Sequence, residues 1–192
     1  MIARPYDDQA EAAARWLASL RPRNINGRSI PGDRAALAKL RRASCAMDAA
    51  AEPVTADLFK QINFERTDRN LFRCAVIAAV LAHVRETRPD SIARSIGTPR
   101  AGDGSIALVT PLRLKRLLAA RDPDDVLTAF RRVVARLGGQ ANVKDLARQI
   151  LAWTDEDRGD ISRTQFAFEY HGAGQFGPGS DDTPATETAD KD

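Results

Sequence analysis

Between Arg69 and Glu86 the chain reads RNLFRCAVIAAVLAHVRE. At about 100° per residue, apolar side chains cover most of a helix's circumference from Leu71 to Val84. A helix with no polar face must be enclosed on every side, so this one belongs at the centre of a bundle with the other helices built around it. Asp68 caps its start and Pro89 stops it. The longest mostly apolar run, Cys74 to Val84 with His83 inside it, is well short of the roughly 20 residues of a membrane span. With no His or Cys three or four positions away, His83 reads as a packed or partly exposed histidine and not as a metal ligand. The two cysteines, Cys45 and Cys74, sit in apolar helical surroundings and read as reduced structural thiols.

The enclosing helices are marked by caps and breakers. Asp7 to Leu20 places Ala13, Trp16, Leu17 and Leu20 on one face, and the following RPRNINGRSIPG reads as a loop because of its prolines and glycines. Thr55 to Asn63 makes a short helix with Leu58, Phe59 and Ile62 apolar. In the second half Thr110-Pro111 and Asp122-Pro123 pair a cap with a first-turn proline, and Gly138-Gly139 ends the longer helix. Its core stripe is Val126, Leu127, Phe130, Val133, Val134 and Leu137. Asn142 caps a helix with Val143, Leu146, Ala147, Ile150 and Trp153 inward, and a last helix from Asp160 to His171 offers Ile161, Phe166, Ala167 and Tyr170. No strand of useful length is visible. The expectation is an all-α protein of two small helical bundles, residues 1–89 and 110–171, joined by a Gly/Ser/Pro-rich loop over 90–109.

Charge is unevenly placed. From residue 172 onward five acids, Asp181, Asp182, Glu187, Asp190 and Asp192, stand against Lys191 alone, so residues 1–171 carry +7 where the whole chain carries +3. The 172–192 segment has the composition of a disordered acidic tail. The N-terminus lacks the apolar core of a secretory signal, and the expected setting is soluble and cytoplasmic.

The basic excess gathers on helices. From Gly32 to Met47 one face holds Ala36, Leu37, Leu40, Ala43, Ser44 and Met47, and the other holds Arg34, Lys39, Arg41 and Arg42. Asp33 caps the start, and no acid follows until Asp48, so the usual i, i+4 counter-charges are missing. Tolerated repulsion of this kind suggests a polyanion nearby. Arg113, Lys115, Arg116, Arg121, Arg131, Arg132 and Arg136 repeat the decoration in the second half. Such residues contact phosphates without reading sequence. Aromatic residues are only 6% of the chain and fall mostly on core stripes, so no base-stacking platform is evident, nor is a recognition helix.

Catalytic patterns are missing. There is no HExxH, GxSxG, paired-Cys or phosphate-loop motif, and the histidines are His83 and His171 alone. Asp124 and Asp125 belong to a helix's first turn, where the dipole favours acids. The knot Asp155, Glu156, Asp157 and Asp160 lacks the order of a calcium loop. Neither an enzyme nor a cofactor is expected.

The stretches W16-L-A-S-L, G32-DRAALAKLRRA-S44, R113-LKRLLAARDPDDVLTAFRRVVARL and VKDLARQILAW153, with a closing aromatic helix, resemble the CasB family, the small subunit of the type I-E CRISPR Cascade surveillance complex. The resemblance covers most of residues 10–170; the 90–109 loop and the acidic tail stand outside it. It implies a helical, non-catalytic protein present in two copies, beside the backbone and large subunits, the crRNA and the target DNA. There it helps hold the displaced strand, while base pairing reads sequence. The candidate phosphate contacts are Arg34, Lys39, Arg41, Arg42, Arg113, Arg116, Arg121, Arg131 and Arg132. The alternative is a helical adaptor whose basic faces dock acidic protein surfaces.

Overall fold

The structure, a computed structural model, describes residues 5–98 and 107–172; the acidic tail and the middle of the 90–109 segment lie outside the described residues. The first half contains α1 (Asp7–Ser19), β1 (Arg23–Ile25), β2 (Arg28–Ile30), α2 (Arg34–Arg42), α3 (Ala46–Ala50), α4 (Pro53–Ile62) and α5 (Asp68–Leu81). Then come β3 (Glu86–Thr87), α6 (Ile92–Gly97), α7 (Pro111–Ala119), α8 (Pro123–Arg136), β4 (Gln140–Ala141), α9 (Val143–Trp153) and α10 (Gly159–Tyr170). The fold is all-α, as the periodicity requires. None of the described helices is long and apolar enough to cross a membrane.

The apolar helix takes the centre. Every residue of α5 from Arg73 to Leu81 is buried, and α2, α3, α4, α8 and α9 all pack against it. At about 1.5–3 kcal/mol for each large aliphatic side chain removed from water, burying Val76, Ile77, Val80 and Leu81 makes this helix a substantial contributor to stability. Its cap is Thr67, whose Oγ1 accepts from the Asn70 amide; Asp68 is already the first helical residue. Side chains from both sides of the 90–109 segment fill one core: α1 lies along α9, and α5 bridges to α8 and α9. Trp16 is anchored by donating to the Val54 carbonyl (2.9 Å) and Trp153 by donating to that of Ala120 (3.2 Å).

Three expectations are corrected. The helix expected over 32–47 ends at Arg42, and Ala43 turns extended (φ −52°, ψ 122°) before α3 starts. No glycine or proline causes the break. The Asp48 carboxylate takes the Ser44 amide and hydroxyl, and Asp124, 78 residues away, takes the Ala46 amide at 2.7 Å. Met47, placed on the apolar face of a continuous helix, is therefore exposed. The RPRNINGRSIPG loop contains a small antiparallel hairpin, β1 with β2, turned by Asn26 and Gly27 at φ 50° and 80°. Asn-Gly is the residue pair that tight hairpins favour, because both central positions are left-handed. Finally, residues expected as linker form α6, with Ile92, Ala93 and Ile96 buried and the Ile92 amide held by buried Asp145 (2.7 Å). Gly97 closes this helix against the Tyr170 carbonyl, where a Cβ has no room.

Candidate nucleic-acid interface

The arginines of the second half converge. In α7, Arg113 and Arg116 are one turn apart; in α8, Arg132 and Arg136 are likewise one turn apart, and the two pairs line a groove of about 610 Å³ between the helices. Such i, i+3 and i, i+4 spacing sets each pair on one face of its helix. The floor is apolar, built from Val109, Leu117, Ala120, Ala129 and Val133. Each helix enters the fold through a Thr-Pro or Asp-Pro start, and Asp122 Oδ1 accepts from the Asp124 and Asp125 amides at 3.0 Å.

Among the described residues a single carboxylate, Asp125, reaches the groove wall. Its hydrogen bond to Asp122, and the charge of that neighbour, hold its pKa above the ordinary aspartate value. Among the described residues none of the four arginines lies within ion-pair distance of a carboxylate, although eleven ion pairs form elsewhere. Four guanidinium groups over an apolar floor with so little counter-charge make a focused positive potential suited to a chain of phosphates. Arg136 also borders a second groove of about 500 Å³, lined by Arg88, Arg94, Ser95, Thr98 and Asp90. Arg136 and Arg94 were not among the expected contacts. The sequence counts Arg136 in the basic decoration of the second half without placing it among the candidate contacts; Arg94 falls in the expected linker.

The remaining expected contacts do not join this groove. Lys39 is paired with Glu52 at 3.4 Å, so the supposedly uncompensated face of α2 does have a counter-charge, supplied by the residue before α4. Arg121 donates to the Leu118 carbonyl (2.7 Å) and pairs with Asp160 (3.3 Å). Arg41 donates from Nε to the Ala82 carbonyl at 2.6 Å, at the C-terminal end of α5. Arg131 donates to the carbonyls of Leu40 (2.9 Å) and Ala43 (2.5 Å), at the C-terminal end of α2. Cations at these ends satisfy carbonyls that have no intrahelical partner and meet the negative pole of the dipole. Arg41 and Arg131 thus hold α2, α5 and α8 together. Arg34 and Arg42 stay exposed on α2, without an ion pair among the described residues.

His83 sits in this junction, with its Nε2 buried and without a hydrogen-bond partner among the described residues. Burial first, then the charges of Arg131 and Arg41, push its pKa below the ordinary 6.5. The unfolded chain therefore binds a proton more readily, and stability falls as pH drops through 6.5 toward the lowered value. Thermal unfolding at pH 7.5 and pH 5.5 should show a larger acid loss for the wild type than for His83→Gln; equal losses would count against this assignment.

Among the described residues, no three metal-ligating side chains gather in one place. A model of the CRISPR-associated protein Cse2 family matches residues 36–171. A crystal structure of CasB from Thermus thermophilus is similar in fold, with a TM-score of 0.57 at 21% identity, covering 85% of this chain and 97% of that one. A search of curated proteins returns no match. The family model spans most of the chain and takes in both helices of the arginine groove, and the chain belongs to the CRISPR-associated Cse2 family.

Proposed function

We propose that this chain is a non-catalytic small subunit of a cytoplasmic, RNA-guided Cascade complex of antiviral defence. In this reading it grips phosphates of the displaced DNA strand beside the crRNA and the target strand. The observation that carries the reading is the α7–α8 groove, where Arg113, Arg116, Arg132 and Arg136 face one carboxylate among the described residues. Family membership supports the setting. Guide pairing reads the sequence, so the protein needs only sequence-tolerant electrostatic contacts. Arg34 and Arg42 are second-rank contacts, to nucleic acid or to a neighbouring subunit. The partners are the backbone and large subunits and a second copy of this chain.

The test uses the assembled complex. Phenylglyoxal modifies accessible arginines, and mass spectrometry reads each site with and without target DNA. Target DNA should protect Arg113, Arg116, Arg132 and Arg136 while leaving the exposed Arg15 of α1 unprotected. Equal modification of the groove arginines in both states would overturn the reading.

The adaptor reading keeps a narrower claim. Ile161 and Phe168 are seven residues apart on α10, hence on one face, and are 58% and 62% exposed. That face suits a protein neighbour, whereas the α7–α8 groove suits phosphates.

A further inference from the structure

The family match stops at residue 171, and the 20 residues 173–192 that follow carry five carboxylates against one lysine. Their attachment point bears directly on the groove. Tyr170, the last residue of α10, donates from its hydroxyl to the Val109 carbonyl at 2.5 Å, and Val109 is part of the groove wall. The last side chain of α10 therefore touches the wall of the arginine groove, while the Tyr170 main chain lies against Gly97 of α6. Asp181 lies nine residues beyond Gly172, a separation that spans at most about 30 Å when extended. The nine-residue α7 is roughly 13 Å long. Asp181 and Asp182, and Glu187 beyond them, can reach any of the four arginines.

We infer that the acidic 173–192 segment occupies the α7–α8 groove when nucleic acid is absent, its carboxylates standing in for phosphates on Arg113, Arg116, Arg132 and Arg136. Charge complementarity favours this groove over its neighbour. Each groove has one aspartate in its wall, Asp125 or Asp90, but the second is lined by Arg88, Arg94 and Arg136, of which Arg88 is already paired with Glu86 at 3.2 Å. Tethering makes the contact intramolecular, at an effective concentration that free anions of the same charge do not reach. An incoming strand must displace the tail, so short or weakly held strands are rejected and a long displaced strand is kept. This selectivity rests on the proposed phosphate-gripping role of the groove; the docking itself does not.

The full-length chain serves for the test. A nitroxide is attached at Ser180→Cys in a Cys45→Ser background. Buried Cys74, whose thiol is pushed up to about 12 by burial, does not compete for the label. Amide signals of α7 and α8 should broaden at 50 mM salt and recover at 0.5 M salt; no broadening, or broadening centred on another face, would overturn the inference. In parallel, the five tail acids are changed to Asn or Gln. A single-stranded 20-mer of DNA should then bind about fivefold more tightly at low salt, the gain expected when the groove was open about one-fifth of the time. Unchanged affinity, or an equal gain when Arg113, Arg116 and Arg132 are already Gln, would also overturn it. Tail-dependent broadening combined with groove substitutions that leave DNA affinity unchanged would uphold docking and remove the nucleic-acid role instead.

Discussion

Replacing Arg113, Arg116 and Arg132 together by glutamine should weaken binding of single-stranded DNA by roughly 100-fold at 0.1 M salt once the tail carboxylates are neutralised. The effect is smaller in the native chain, where the same arginines lose the tail as well as the strand. The figure follows from counterion release: each phosphate contact on a single strand contributes about 0.7 to the slope of log K against log salt, and hence about 0.7 log units at 0.1 M. Stability should barely change, because all three side chains are exposed and lack ion pairs among the described residues. Fluorescence anisotropy with a labelled 20-mer gives the affinity, and a melting curve confirms the fold. The contrast is Arg131→Gln. Removing donors from the Leu40 and Ala43 carbonyls should lower stability by about 1–3 kcal/mol and alter DNA binding only through that loss.

The largest stability effect is expected at Trp153. Its ring meets Phe130 and Phe166 edge-to-face, at centroid distances of 5.1 and 5.2 Å, and its indole N–H satisfies Ala120 at the end of α7. Arg163, almost fully buried, donates to its carbonyl at 2.9 Å. One side chain therefore ties α7, α8, α9 and α10, and it fixes the spacing of the groove helices from below. Trp153→Ala should cost about 3–5 kcal/mol through lost burial and the cavity left behind. Trp153→Phe, which keeps most of the ring, should cost less. Denaturant unfolding followed through Trp16 or far-ultraviolet dichroism measures both. Similar small losses for the two variants would mean that this aromatic stack does not bear the fold.

How far the sequence could be read depended on whether the determining partner was near in the chain. The all-round apolarity of α5 and the stripe ending at Trp153 are local periodicities, and both helices are present, although α5 ends at Leu81, well before the Pro89 expected to stop it. Asn142 and Asp122 cap by accepting from amides two or three residues further on, and they too were legible. The break after Arg42 was not, because Asp124 is remote in sequence and no breaker residue marks the site. Counting charges placed Arg113, Arg116 and Arg132 on α7 and α8 but could not show that they share a groove, which only the packing of the two helices creates. It failed for Arg41 and Arg131, whose acceptors are main-chain carbonyls at helix ends and carry no signature in the side-chain sequence. Lys39 looked uncompensated because Glu52 belongs to the next element but one. The hairpin was announced by Asn26-Gly27, but three-residue strands with exposed side chains leave no alternation to read.

The salt dependence of single-strand binding tests the central claim most directly. In the tail-neutralised chain, log K against log salt should lose about 2 units of slope when Arg113, Arg116 and Arg132 become glutamine, 0.7 for each phosphate released. Parallel lines for the two proteins would contradict the claim, since they would mean that the α7–α8 arginines touch no phosphate.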